Sequence, residues 1–231
     1  MGQIKRKTSL TLVLALFGIT AAAQADPVEN VIGLEVTNPG GFVGALDGLF
    51  ESGAMSGYSV SLWENAFDGS NPSTHTIVAR FDDYDAHDSL TAQRLQHPGW
   101  ARFGLAVRDM STIVTSGFLI ERLADGRVED DHRAGAAFIA SVSDPAAYAA
   151  ALSRLIDSTD NPGSVRLMES RFGGQGATHA VVISADSMAA LNEYLDELLT
   201  SDTYREFASD VAGLRTLRTV NGYRLIKRWS D

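Results

Sequence analysis

The chain has 231 residues, a formal net charge of −10 and no cysteine. The excess of acidic side chains argues against a nucleic-acid-binding protein, because contact with phosphates needs clustered Lys and Arg. The absence of cysteine excludes disulfides, thiolate nucleophiles and Cys-rich zinc sites, so we expect the fold to depend on burial of a hydrophobic core.

The first 25 residues have the pattern of an export signal. Residues 5–7 are basic (KRK), residues 10–19 form an apolar run too short to span a bilayer, and residues 23–25 read AQA, an A-x-A cleavage pattern. We predict cleavage before Asp26 and a periplasmic or secreted protein. The leader removes three basic and no acidic residues, which leaves 16 basic against 29 acidic side chains and a net charge of −13. That balance does not favour attachment to an anionic membrane.

Strand and helix patterns alternate through the first half of the remaining chain. Residues 31–36 read as a strand, and Asn38, followed by a proline, predicts a capped helix start. Phe42, Leu46 and Leu49 then recur at helical spacing and give this helix one apolar face. The later elements of this half are a hairpin, two helical segments and a closing strand, at residues 59–80, 83–95, 100–110 and 112–122.

The second half repeats this order after a charged segment. Residues 125–134 lack apolar periodicity and predict a linker between a first repeat at 26–124 and a second repeat at 135–231. A strand at 136–142 follows, and Asp144, again before a proline, predicts the next helix cap. Equivalent positions in the two repeats differ by 104 to 106 residues throughout. The two hairpins, at 59–78 and 164–183, show this offset. The apolar helix faces show it too, with Phe42, Leu46 and Leu49 in the first repeat and Tyr148, Leu152 and Leu155 in the second.

The order of elements predicts an α+β fold made of two tandem ferredoxin-like β-α-β-β-α-β repeats. An antiparallel sheet with helices on one face leaves its other face uncovered. Both phases of the hairpin strands are mostly apolar, so we expect the two bare faces to cover each other. The result would be an intramolecular pseudo-dimeric α/β barrel, either as a monomer or as a homodimer.

In this order of elements the chain resembles the dimeric α/β-barrel superfamily, and within it the antibiotic-biosynthesis-monooxygenase-like proteins. The resemblance also includes a short break followed by an aromatic after the second helix of each repeat, at residues 97–100 and 201–204. It implies a range of activities that includes cofactor-free oxygenases, isomerases, haem-handling enzymes and proteins without catalysis. In the haem-degrading relatives a helix His binds the iron near an aromatic and an Asn, and the matching residues here would be His87, Trp63 and Asn65.

Each hairpin carries a Glu and a His at the two ends of its loop. Glu64 and His75 are separated by ten residues, and Glu169 and His179 by nine. A carboxylate beside an imidazole can orient a general base or contribute to a metal site. The alternative is a cross-strand pair that stabilises the mouth of the loop.

One helix face differs in polarity between the two repeats. In the first repeat Tyr84, His87 and Thr91 occupy it. The equivalent residues of the second repeat are all apolar: Met188, Leu191 and Leu195. Polar groups at core positions are costly unless they are paired, so this difference predicts a polar pocket in the first repeat. The alternative is a helix rotated so that these side chains face water.

Trp63 and Arg80 are further polar or aromatic changes confined to the first repeat. We therefore predict His87 and His75 as catalytic candidates, and Tyr84, Trp63, Arg80 and Thr91 as candidate ligand-binding residues. His97, in a Pro-Gly break, and His132, in the charged linker, are predicted to be exposed.

Three functions remain open from the sequence. The first is binding of a small, mostly hydrophobic molecule without catalysis. The second is an oxygenase, isomerase or haem-handling enzyme of the dimeric α/β-barrel superfamily. The third is a protein–protein interaction module whose barrel is filled by its own side chains. We expect no bound cofactor or metal, and no nucleic-acid partner.

Overall fold

The computed structural model describes residues 26–69, 71–126, 132–161 and 163–230. The leader and the centre of the charged linker lie outside these ranges. The first half contains, in order, β1 (Val28–Val36), α1 (Pro39–Glu51), β2 (Ser59–Phe67), β3 (His75–Phe81), α2 (Tyr84–Gln96), α3 (Pro98–Val107) and β4 (Ser111–Asp125). The second half contains β5 (Ala134–Val142), α4 (Pro145–Asp157), β6 (Gly163–Phe172), β7 (His179–Ala185), α5 (Met188–Thr200), α6 (Asp202–Asp210) and β8 (Arg215–Trp229).

The helix starts follow the capping chemistry predicted from the sequence. The Asn38 side chain accepts a hydrogen bond from the Gly41 backbone N–H at 3.0 Å, and the Asp144 side chain accepts one from Ala147 at 3.0 Å. In both helices a proline occupies the first turn, where its missing N–H costs nothing. A cap of this kind contributes about 1 kcal/mol.

The eight strands form one closed antiparallel barrel in the order β1-β3-β2-β8-β5-β7-β6-β4. Within it, β4-β1-β3-β2 and β8-β5-β7-β6 have the same arrangement, which is that of a ferredoxin-like sheet. The two four-stranded sheets join edge to edge through β2 with β8 and β4 with β6. Closure leaves the inner faces of the two sheets covered by each other, because they become the inside of one barrel.

Two hydrophobic cores lie on the outside of the barrel, beneath the helices. The predicted helix faces are buried in them: Phe42, Leu46 and Leu49 in the first half, and Tyr148, Leu152 and Leu155 in the second, are all at most 6% exposed. Burying a side chain of this size stabilises the fold by about 1.5–3 kcal/mol. Among the helices of the described ranges, none is both long and apolar enough to cross a lipid bilayer.

Candidate functional site

A cavity of about 260 Å³ occupies the interior of the barrel, and all eight strands contribute to its wall. On β1, β2, β3, β5 and β7 its lining follows the two-residue period of a strand, so alternate positions face it. On several strands these positions hold small side chains, which is why space remains inside. The small lining residues are Ser59, Ser61, Gly135, Ala137, Ala180 and Ser184.

Four charged side chains form an ion cluster at the arc of the barrel where β6, β4, β1 and β3 are neighbours. The Arg80 guanidinium donates to Glu29 at 3.1 Å and to both carboxylate oxygens of Glu121, at 2.8 and 3.1 Å. Arg166 donates from its Nη1 to Glu29 and, at 3.3 Å, to Glu121. Each carboxylate is therefore bound by both guanidinium groups, and the four charges sum to zero.

The electrostatics of this cluster favour the ionised forms of Glu29 and Arg80. Burial alone would raise the pKa of Glu29, but Arg166 and Arg80 outweigh that effect and hold the pKa below its ordinary value. Burial likewise acts to lower the pKa of Arg80, and Glu121 and Glu29 reverse it, so the pKa is raised. We assign full charges to Glu29 and Arg80 at neutral pH.

Aromatic side chains line the cavity on β2 and β8. The Trp63 indole N–H donates to Ser61 Oγ at 2.7 Å, and the Arg228 guanidinium lies 5.9 Å from the centre of the Trp63 ring. Burial raises the pKa of Tyr223 to about 12, against the opposing hydrogen bond from Asn221. Tyr223 is therefore a protonated phenol at neutral pH, able to donate a hydrogen bond into the cavity.

His132 is buried in the cavity wall, and the prediction that it is exposed was wrong. Only 4% of the residue is exposed, because its ring packs against Gly163 and Ser184 on the neighbouring strands β6 and β7. Its Nδ1 lies 2.9 Å from Ser184 Oγ, which is 2.6 Å from Ser164 Oγ. The sequence showed only a charged segment around this residue, so nothing local indicated that its ring would be covered.

The structure separates the predicted site residues into two groups. Trp63 and Arg80 line the barrel cavity, whereas His87, Tyr84 and Thr91 lie on α2, on the outer side of the sheet. A pocket shared by Arg80 and His87 is therefore not formed, because the sheet lies between them. The catalytic and ligand-binding roles of all these residues stay predictions.

The α2 residues make their own contacts. The His87 ring lies edge-on between Phe81 and Phe118, at 5.0 and 5.1 Å, and its Nδ1 is 2.9 Å from an Asp88 carboxylate oxygen. Tyr84 stacks on Phe118 at 5.7 Å and is 46% exposed. The Thr91 hydroxyl is buried and has no hydrogen-bond partner among the described residues.

The two predicted Glu–His pairs are confirmed as cross-strand neighbours on the outer face of the barrel. Glu64 is paired in register with His75, and Glu169 with His179. Each imidazole Nδ1 lies within 2.9 Å of the hydroxyl of the preceding threonine. Burial lowers the pKa of both histidines, and the neighbouring glutamates oppose this only in part. Neither pair reaches the cavity.

The surroundings of His87 do not fit a haem group. Phe81 and Phe118 contact its ring from two sides, and its Nδ1 is bound to Asp88. A second cavity, of about 50 Å³ beneath the helices of the second half, is lined by apolar and aromatic side chains and one arginine, without histidine. The described ranges contain no group of three His, Asp or Glu side chains that could hold a metal.

No protein-family model matches the chain, and no curated protein matches it significantly. Solved structures do. A proposed monooxygenase of Fusobacterium nucleatum aligns with a TM-score of 0.63 at 13% identity, covering 90% of this chain and 95% of that one. An anthrone oxidase-like protein aligns with a TM-score of 0.57 at 13% identity, covering 92% of this chain and 95% of that one. A proposed chlorite dismutase aligns with a TM-score of 0.53 at 13% identity, covering 88% of this chain and 96% of that one.

The alignments and the closed strand order define the class of protein, an eight-stranded antiparallel α+β barrel with its helices outside. This is the dimeric α/β-barrel fold, and the resemblance seen in the sequence is confirmed at the level of the fold. One fold carries many activities, so the fold alone does not define the function.

Proposed function

We propose that the protein binds a small, mostly apolar molecule inside its barrel. The observation that carries the proposal is the cavity of about 260 Å³, whose wall surface is mostly apolar and also includes charged and polar side chains such as Arg80, Arg166 and Tyr223. Cavities of this composition are typical of small-molecule sites. An interaction module with a barrel filled by its own side chains is disfavoured, because small residues on β2, β5 and β7 leave the interior open.

Filling the cavity tests this proposal. Ala137→Phe places a large side chain on the inner face of β5 and should abolish binding of a fluorescent apolar probe such as Nile red. Ala101→Phe, at an exposed position of α3, is the matched control and should leave binding unchanged. Equal binding by both variants, with circular dichroism showing both folded, would place the probe outside the barrel and overturn the proposal.

A second candidate function is a cofactor-free oxygenase reaction on the bound molecule. The names of two structural neighbours, a proposed monooxygenase and an anthrone oxidase-like protein, favour it. The cavity also supplies an imidazole, His132, as a candidate base and the Tyr223 phenol as a donor. Oxygen consumption in the presence of anthrone tests it. Activity lost in His132→Gln and kept in His97→Gln would support it, and no consumption by the wild-type protein would count against it.

We infer that the barrel arose by tandem duplication and serves as an internal pseudo-dimer after export. The support is the repeated strand order, the constant sequence offset and the signal-like leader. Native mass spectrometry of protein recovered from the periplasm gives the oligomeric state, and N-terminal sequencing tests cleavage before Asp26. A retained leader would refute export, and an obligate dimer would refute the self-contained barrel.

A further inference from the structure

One hydrogen-bond donor of Arg166, its Nε–H, has no acceptor among the described residues. The residue is only 9% exposed and lines the cavity. Its Nη1 is shared by Glu29 and Glu121, but its Nε–H is buried and has no acceptor among the described residues. A buried donor without an acceptor is unfavourable, and an acceptor from a bound molecule would remove that cost.

The charge balance around Arg166 indicates what kind of acceptor this would be. Arg80 and Arg166 are already matched by Glu29 and Glu121, each carboxylate being bound by both guanidinium groups. A further carboxylate at the Nε edge would add a buried negative charge beside the two that are present, which is costly. A neutral oxygen accepts the same hydrogen bond without that cost.

The opposite wall of the barrel indicates the rest of the molecule. In the closed order of eight strands, β6 and β2 are four strands apart in either direction, so Arg166 and Trp63 lie on opposing arcs. Each strand between them on one side, β4, β1 and β3, contributes an apolar side chain to the wall: Leu119, Val31 and Val78. A molecule that spans the cavity therefore meets an indole at one side and the Arg166 donor at the other.

We propose that the ligand is an uncharged, mostly apolar molecule with a carbonyl-type oxygen, which accepts a hydrogen bond from Arg166 Nε–H while its apolar part lies against Trp63. This inference rests on the proposed binding function and specifies the chemistry of the same site. It gives Arg166, in the second half of the chain, the recognition role, in contrast to the first-half residues that the sequence favoured.

The test uses three probes of matched shape: 4-phenyl-2-butanone, butylbenzene and 3-phenylpropanoate. Their affinities for the full protein are measured by ligand-observed NMR. We expect the ketone to bind about tenfold more tightly than the hydrocarbon, as one hydrogen bond to a charged donor allows, and more tightly than the carboxylate. If the hydrocarbon binds with the same affinity as the ketone, or the carboxylate binds most tightly, the proposed ligand class is wrong but binding in the barrel is still supported. If none binds, the binding function itself is overturned.

Arg166→Lys is the discriminating variant, because it keeps a positive charge beside Glu29 and Glu121 but has no Nε–H. The advantage of the ketone over the hydrocarbon should disappear, with butylbenzene affinity unchanged. Arg154→Lys, in an exposed pair with Asp210, is the matched control and should behave as the wild type. An undiminished ketone preference in Arg166→Lys would overturn the assignment.

A second measurement keeps the proposal testable if Arg166→Lys does not fold. In the wild-type protein, titration with the ketone should shift one arginine Nε–H resonance in a ¹H–¹⁵N spectrum, and butylbenzene should leave the arginine resonances in place. Absence of such a shift at saturating ketone would overturn the proposed hydrogen bond.

Discussion

Arg166, in the second half of the chain, donates a hydrogen bond to Glu29, which lies 137 residues earlier in the first half. Both residues are buried, and Glu121 and Arg80 complete a neutral cluster around them. The cluster connects the two halves from inside, next to the seam where β4 pairs with β6. It thereby combines two tasks, closing the barrel and placing a guanidinium group in the cavity wall.

Removing one charge from the cluster should be strongly destabilising. Glu29→Gln leaves the buried Arg166 and the half-buried Arg80 with one carboxylate, and we expect a loss of about 3 kcal/mol in the free energy of unfolding. Urea denaturation measures it. The matched control is Glu64→Gln, because Glu64 forms a more exposed pair with Arg224 at 3.1 Å, and its loss should not exceed about 1 kcal/mol. Similar losses in the two variants would contradict the buried-cluster interpretation.

Stability should fall as the pH drops below about 6.5 because of His75 and His179. The ordinary histidine pKa is 6.5, and burial lowers the pKa of both residues in the folded state. Below pH 6.5 the unfolded chain therefore binds protons that the folded protein does not yet accept, and stability present above that pH is lost. Urea midpoints measured from pH 7.5 to 5 will show the slope.

The double variant His75→Gln, His179→Gln should flatten this slope. Glu29 contributes to the pH dependence of stability in a different, more acidic pH range. Its pKa is held below 4.5 in the folded state, so its contribution is complete above that pH and is lost only in stronger acid. A slope between pH 7.5 and 5 that persists in the double variant would show that other groups cause it.

Cutting the chain between Gly126 and His132 should not separate the halves. Each half has two sheet edges paired with the other, β2 with β8 and β4 with β6, and the ion cluster adds buried contacts. A protease site inserted there should give two fragments that co-elute in size-exclusion chromatography and melt in one transition. Two folded fragments eluting separately would show that the closed barrel is not required.

His87→Leu distinguishes the barrel site from a site at α2. The His87 ring lies between Phe81 and Phe118, so leucine, the residue at the equivalent position 191, should preserve or raise stability. Because the sheet separates His87 from the cavity, binding of an apolar probe should be unchanged. Loss of probe binding in a variant of normal stability would instead place the site at α2.

Much of the fold was predictable from local patterns. The caps at Asn38 and Asp144 and the apolar spacings of Phe42 and Tyr148 specify helices through contacts within a few residues. The pairing of Glu64 with His75 also follows from local hairpin geometry. The repeated order of elements then indicated the superfamily fold, since two ferredoxin-like units need to cover each other's bare faces.

The site was less predictable because it depends on barrel closure. The sequence singled out Trp63 and Arg80, which do line the cavity, by their difference from the second repeat. It missed Glu29, Glu121 and Arg166, whose contacts span 41 to 137 residues. Strand alternation says which side chains share a face, but only closure of the sheet brings distant inner faces within hydrogen-bonding distance of one another. Tertiary structure alone decided that the charges meet inside the barrel and that the α2 polar face lies outside it.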